Sequence, residues 1–260
     1  MHACCCRWMR KPSAADGLSA GAIPSVTGGS PLRTYREVIV GAPGWLDLLY
    51  FEWCAWLAPV PGAVGLLLRK LFWPRLFAAC GRGVVFGVNV VLRQPGRIRL
   101  GERVVVSDGC ILDGRSDQRA ESIVVGDDAM LSNDVMLSCK NGSIRLGEHV
   151  GVNARTIIQS TNDCPVAIGR DCIIGQSCLI IGGGSYDLSD PDALIREQPI
   201  RRDGGVTLEE NVWLGGKVSV LGGVRVGRGS VVAAGAVVSR SLPADSVAMG
   251  VPAAVVRSRR

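Results

Sequence analysis

The 260-residue sequence reads as an all-β fold, a solenoid of short parallel strands, and three observations carry that reading. Aliphatic residues recur at six-residue steps between residues 98 and 242. Glycine supplies 34 residues, near twice its usual share of about 7%. Aromatic residues make up only 5% of the chain, and inside the repeat only Tyr186 and Trp213 are aromatic. A period of six matches neither the period of about 3.6 of a helix nor the period of two of an isolated strand.

Residues 1–44 are rich in Ser, Ala, Gly and Pro without any period, which predicts a disordered tail. Residues 45–82 differ, holding Trp45, Phe51, Trp53, Trp56, Phe72, Trp73 and Phe77. Their longest uncharged run, Trp53 to Leu68, is 16 residues and is broken by Pro59 and Pro61. A membrane-spanning helix needs about 20 apolar residues, so two short amphipathic helices joined at Pro59–Gly62 are expected instead. Arg69, Lys70 and Arg75 beside Phe72 and Trp73 suit a membrane interface, so residues 45–79 are expected to make peripheral membrane contact. Capping of the main domain is the other reading, and the two are compatible.

Residues 83–260 form the repeat domain and its C-terminal cap. The lattice runs through Leu100, Val106 and Leu112, then Val125, Leu131 and Leu137, then Leu146, Val152 and Ile158, then Ile168, Ile174 and Ile180. It resumes at Leu208, Leu214, Val220, Val226, Val232 and Val238. The fifth position of each unit is small or β-branched, as at Cys110, Ala129, Thr156, Cys172 and Ser230. These two positions point inward and fill a thin three-sided core, while Gly or Asp takes the corners, where bulkier side chains are disfavoured. Stacked coils share their backbone hydrogen bonds and need capping at both ends. The gaps in the lattice locate the loops: 13 residues from Leu112 to Val125, nine from Leu137 to Leu146, ten from Ile158 to Ile168, and 28 from Ile180 to Leu208. The last ejects a loop over residues 181–206, long enough to be functional.

Composition removes several functions. The two histidines, His2 and His149, exclude a centre built on three imidazoles, and with it a carbonic anhydrase on the same coil. No metal is expected; a zinc site on the adjacent Cys4, Cys5 and Cys6 is disfavoured, because neighbouring residues do not converge easily on one ion. The net charge of +6 is concentrated in residues 1–82, so the repeat carries no nucleic-acid footprint. Residues 1–97 lack a Gly-rich nucleotide loop, which argues against a nucleotidyltransferase. Ten cysteines without a paired spacing, and a start without the apolar core of a secretory signal, point to reduced thiols and a cytoplasmic protein, peripheral on the inner membrane face.

Residues 98–257 resemble the hexapeptide-repeat acyltransferases, a family of left-handed parallel β-helices that includes sugar O-acetyltransferases. The most specific stretch runs from Val206 to Val256, with a Trp-containing turn, a Gly-rich coil and the segment Gly250-Val251-Pro252-Ala253. Thr34–Gly44 and the helices after it look like the front of the branch encoded with polysaccharide-assembly genes. The left hand comes from the resemblance alone, since parallel crossovers are nearly always right-handed. The resemblance implies acyl transfer from acetyl-CoA, or another acyl-CoA, to a hydroxyl of a sugar or polysaccharide precursor, in clefts between the subunits of a homotrimer. It also implies a His base in the ejected loop, whose pKa suits the task, and backbone amides that hold the oxyanion.

The loop departs from that pattern. Counting back from Ser189-Asp190-Pro191, the His position falls on Tyr186, and the loop holds no histidine. His149 lies in a corner where the repeat places solvated side chains. Tyr186, with a usual pKa near 10, needs a shift of about three units, worth roughly 4 kcal/mol, to act as base at neutral pH. Arg196, Arg201 and Arg202 supply positive charge in the same loop. Asp187 or Asp190 is the other candidate acceptor of a proton, and Tyr186 and Asp187 are taken as the catalytic pair. Lost catalysis, leaving a binding or scaffold protein, is the alternative.

Elsewhere the resemblance assigns Asn153 to the acceptor; a corner Asn in left-handed backbone explains it equally well. Trp213, Gly215 and Gly216 match the cofactor groove, the glycines allowing the pantetheine arm to approach. Arg240 and Arg257 match basic residues near the coenzyme phosphate, with plain surface charge as the other reading. The Lys or Arg usual after the Gly-x-Pro-Ala segment is Ala254 here, so one phosphate contact is missing.

Overall fold

The computed structural model describes residues 30–42, 44–116 and 121–260. The expected tail lies mostly outside them, as do Cys4, Cys5, Cys6 and His2. From Pro31 onward the described chain is already helical: helix α1 (Pro31–Tyr35) runs into a π-helical turn, Arg36–Val40. A proline in the first turn suits that start, since its missing N–H has no helical partner there. Buried Val40, and the Gln94 N–H donating to the Ile39 carbonyl at 2.6 Å, tie this segment to the solenoid, so helical structure begins before residue 45.

Helices α2 (Trp45–Trp56) and α3 (Gly62–Phe72) follow, separated by the two prolines as the sequence indicates. They close the open end of the first coil. Trp73 and Phe77 pack on Phe86, the latter stacked at 5.4 Å. Arg69, only 1% exposed, threads between the helices and the coil. Its guanidinium donates to the carbonyls of Leu57 (2.9 Å), Val60 (2.7 Å) and Phe86 (3.0 Å). A side chain at Gly65 would meet the Val60 carbonyl, so the tight crossing demands glycine.

Beyond the helices the chain winds into a three-sided parallel solenoid, with seven strands on the first face, nine on the second and seven on the third. The predicted lattice is its register. On the first face Leu100 pairs in line with Val125, Leu146, Ile168, Leu208 and Val226. The second face stacks Val106, Leu131, Val152, Ile174, Leu214 and Val232, and the third stacks Leu112, Leu137, Ile158, Ile180, Val220 and Val238. Every one of these side chains is buried, as is every fifth-position residue. The fold is the hexapeptide-repeat β-helix expected, in agreement with its left-handed form.

One coil precedes the first lattice residue, Leu100, and all of it but the strand Ala79–Cys80 lies within the expected domain of residues 83–260. Cys80, Phe86 and Leu92 hold the same three positions, paired to Leu100, Val106 and Leu112. Phe86 is admitted to the thin core because it lies at the end of the stack, where Trp73 and Phe77 cover it. At the other end Leu242 and Ala248 continue the stack, and the antiparallel strand Ala254–Ser258 lies outermost on the second face.

Gly and Asp do take left-handed angles at corners, as at Gly109 (70°), Gly235 (74°) and Asp134 (59°), but the Gly that directly follows an aliphatic residue has another role. Gly126, Gly147 and Gly169 have ordinary φ, and are needed because coils approach there; a Cβ at Gly147 would lie 2.6 Å from the Arg170 nitrogen of the next coil. Left-handed φ falls two residues later, on Arg103 (54°), Asp128 (54°), His149 (56°), Asp171 (60°) and Asn211 (56°). The edges also differ from one another. The steps from first to second face and from second to third keep six residues through the main lattice, and all four gaps fall between the third face and the first.

Candidate functional site

The ejected loop leaves the third face at Gly182 and rejoins the first at Val206. Its stem is a short antiparallel arm: Tyr186 bridges Ile200, the Asp187 N–H donates to the Pro199 carbonyl at 2.8 Å, and the Arg201 N–H donates to the Ser185 carbonyl at 2.7 Å. Two residues unnoticed in the sequence hold it. The Asp203 carboxylate accepts the N–H groups of Gly183 (2.9 Å) and Gly205 (2.8 Å), pinning both ends of the loop. A side chain at Gly222 would run into that carboxylate. Near the tip the buried Gln198 amide donates to the carbonyls of Asp190 (2.8 Å) and Ala193 (3.3 Å). The signal for Asp203 was the Asp-Gly-Gly sequence, with φ of 85° and 82° at Gly204 and Gly205; Gln198 carried none.

Tyr186 and Asp187 are successive residues of extended chain, so their side chains leave opposite sides of the arm. Both are half-buried. The Asp187 carboxylate accepts the Ser189 N–H at 3.1 Å, a turn that holds the carboxylate beside its own backbone. Of the loop arginines, Arg202 pairs with Asp163 at 3.3 Å and Arg196 with Glu197 at 3.6 Å. Arg201 forms no ion pair among the described residues. His149 is exposed, 3.0 Å from Asp171 on the edge between the first and second faces, away from the loop edge.

The other sequence-selected residues fall on separate parts of the prism. Arg240 is exposed on the same edge as the loop. Asn153, Gly215 and Gly216 lie on the edge between the second and third faces. Asn153 is not left-handed, that conformation falling on Arg155 (φ 58°); its amide donates to the Ile174 carbonyl at 2.9 Å and so ties adjacent coils. Gly215 has a structural reason of its own, since a Cβ would sit 2.6 Å from the Ala234 nitrogen. Trp213 projects from the second face, 53% exposed, in line with the exposed Ile173 and next to Val231. Arg257 is exposed on the outermost strand, its guanidinium reaching the Ser258 carbonyl at 3.2 Å. Within one copy the third face separates the loop edge from the edge carrying Asn153 and the two glycines.

Those outer faces are unlike. The first is charged, with Arg99 on Glu121 and Arg225 on Glu209. The second exposes Met130, Ile173 and Trp213, and the third exposes Val91 and Ile157.

Fold and repeat define the class: a hexapeptide-repeat β-helix. Residues 205–240 match the family model described as the bacterial transferase hexapeptide (six repeats). The chain is similar to a galactoside O-acetyltransferase of Lactococcus lactis, 35% identical over 107 residues, covering 41% of this chain and 50% of the relative. It is similar also to a putative lipopolysaccharide biosynthesis O-acetyl transferase, WbbJ, of Escherichia coli, 36% identical over 121 residues, covering 45% of this chain and 61% of the relative. The matched stretch thus spans between half and about three-fifths of those relatives. Among solved structures, a single-site mutant of AntD, a Bacillus cereus N-acyltransferase in complex with dTDP and coenzyme A, is similar with a TM-score of 0.51. At 18% identity, over 78% of this chain and 91% of that one, the likeness is one of fold.

Proposed function

We propose that the protein transfers an acyl group, most simply acetyl, from acyl-CoA to a hydroxyl of a sugar or polysaccharide precursor. The observation that carries this reading is the transferase-type repeat over residues 205–240, next to the ejected loop and within sequence related to O-acetyltransferases. The acceptor oxygen attacks the thioester carbonyl, its proton passes to a base on the loop, and the coenzyme leaves as its thiol. Because Tyr186 and Asp187 point to opposite sides, one of them is the base and the other lines the arm. Trp213 flanks the coenzyme, with Arg240 and Arg257 serving its phosphate, and Asn153 the acceptor.

A homotrimer completes the site. In such an assembly the loop edge of one copy can face the Asn153 and Gly215 edge of the next, and the second and third faces are open to contact between copies. The apolar side chains on those two faces, and the charged first face, support that arrangement. The protein works at the inner face of a membrane, where the helical cap makes contact.

The test is thiol release by purified protein given acetyl-CoA and a panel of sugars. No release above background refutes the reading. Loss of rate in Tyr186→Phe with Asp187→Asn near wild type assigns the base to Tyr186, and the reverse pattern assigns it to Asp187. The second reading, a non-catalytic binding module, is favoured by the absence of a loop histidine; activity appearing only in Tyr186→His establishes it.

A further inference from the structure

The helical cap carries a feature that neither packing nor acyl transfer uses. Around α2, Trp45, Trp56, Leu49, Trp53 and Leu46 fall within an arc of about 100° when residues advance at 3.6 per turn. Each of the five is more than half exposed. The opposite side of the helix, Leu48, Phe51 and Cys54, is buried against the solenoid, so α2 is apolar on both sides. The arc contains no charge: Asp47 lies outside it, and Glu52, at its margin, accepts the Tyr35 hydroxyl at 2.6 Å. Trp53 meets Phe72 edge-on at 6.1 Å, joining the stripe to the last turn of α3, where Leu67 and Leu71 are also exposed. Basic groups surround it. The Arg36 guanidinium sits over the Trp45 ring at 5.5 Å, and Lys70 and Arg75 are exposed without ion pairs among the described residues.

We infer that this stripe docks the protein on an anionic bilayer surface, with α2 lying in the plane of the headgroups. Tryptophan rings with a polar edge, leucines between them and unpaired cations at the rim fit the apolar boundary below and the anionic layer above. Among the described residues no helix is long and apolar enough to cross a membrane, so the contact is one of surface seating. The main contacts of the helices with the solenoid are to strands of the first coil, so the bilayer lies at that end of the solenoid. The loop leaves the fifth coil, four strand spacings away, or about 19 Å along the axis. With the thickness of α2, about 10 Å, added below the first coil, acceptors would be met about 30 Å above the headgroup plane, which suits a saccharide chain carried on a membrane lipid.

The experiment uses the full chain with vesicles of phosphatidylcholine alone and of phosphatidylcholine mixed with phosphatidylglycerol, read by co-sedimentation. Binding to the mixed vesicles, weakening with added salt, is expected. Replacing two leucines in Leu46→Gln/Leu49→Gln lowers the partition about a hundredfold. Lys70→Gln/Arg75→Gln lowers it about thirtyfold on anionic vesicles and little on neutral ones. All four side chains are exposed, and circular dichroism checks that the variants stay folded. The inference is overturned if the wild type ignores both vesicles, or if the leucine variant binds as well as the wild type. A leucine variant with an altered sedimentation coefficient overturns it in favour of a contact between copies. Vesicle binding that appears only when residues 1–29 are removed overturns it in favour of cover by that segment. Neither acyl-CoA nor acceptor is present, so failure here is separate from failure of the transfer reading.

Discussion

Replacing Asp203 by alanine should release the loop while sparing the solenoid. Its carboxylate accepts the N–H of Gly183, shared between its two oxygens at 2.9 and 3.1 Å, and the N–H of Gly205 at 2.8 Å. Both glycines are buried, so the two donors lose their partner where water enters poorly. A hydrogen bond to a charged group contributes about 1.5–3 kcal/mol. Two such bonds, taken at the lower end because Asp203 is partly exposed, come to about 3 kcal/mol, or a factor of about 150 in the opening equilibrium at the loop base. Native-state amide exchange reads this directly. The Gly183 and Gly205 amides should exchange about a hundredfold faster, whereas those of Ile157 and Ile173, bonded to the next coil at 2.9 and 3.0 Å, should not change. Gly222→Ala should give the same pattern by a different route, its methyl group displacing the carboxylate. Unchanged protection at Gly183 and Gly205 would refute the clamp, and so would acceleration spread evenly over the coils.

Three further outcomes follow from other parts of the molecule. Arg69→Met removes the guanidinium from the carbonyls of Leu57, Val60 and Phe86, of which Leu57 keeps the Val60 N–H at 3.3 Å, and should lower stability by about 3 kcal/mol, seen as a lower Tm and a weaker near-ultraviolet signal from Trp73. Glu209 is held below the usual carboxylate range by the Arg228 N–H and then by the Arg225 guanidinium. A depressed folded pKa gives stability that is complete above the unfolded value and lost as pH falls through the folded one, so Tm should fall below about pH 4.5, and less steeply in Glu209→Gln. Burial pushes the Cys110 and Cys172 thiols up to about 11, so both should resist a disulfide reagent at pH 8 and react only on unfolding, measured by mass spectrometry of labelled peptides.

The solenoid was legible because its core asks the same question at every sixth residue. Leu131, Val152 and Ile174 answer it with aliphatic side chains, and each is buried in the register that the spacing implied. The first coil stayed outside the lattice although Cys80, Phe86 and Leu92 keep the spacing, because a thiol and an aromatic ring broke the residue-type pattern. Phe86 fits only with Trp73 and Phe77 over it, a contact between segments that no local period encodes. The loop was visible as a gap, but its internal support was not. Asp203 and Gln198 act on backbone groups up to twenty residues away, through geometry that exists only once both ends of the loop are anchored. Asn153 shows the converse: chosen for a ligand, it has an occupation within the fold, bonding to the next coil.

The confinement of every irregular gap to one edge of the prism bears on how such a chain can change. Residues inserted on either of the other edges would slide a whole coil out of register and turn its aliphatic side chains toward solvent. Residues inserted between the third face and the first are absorbed where the chain already leaves the lattice. Two edges therefore work as a fixed ruler, and the third is a margin in which new chemistry can be written without redrawing the core.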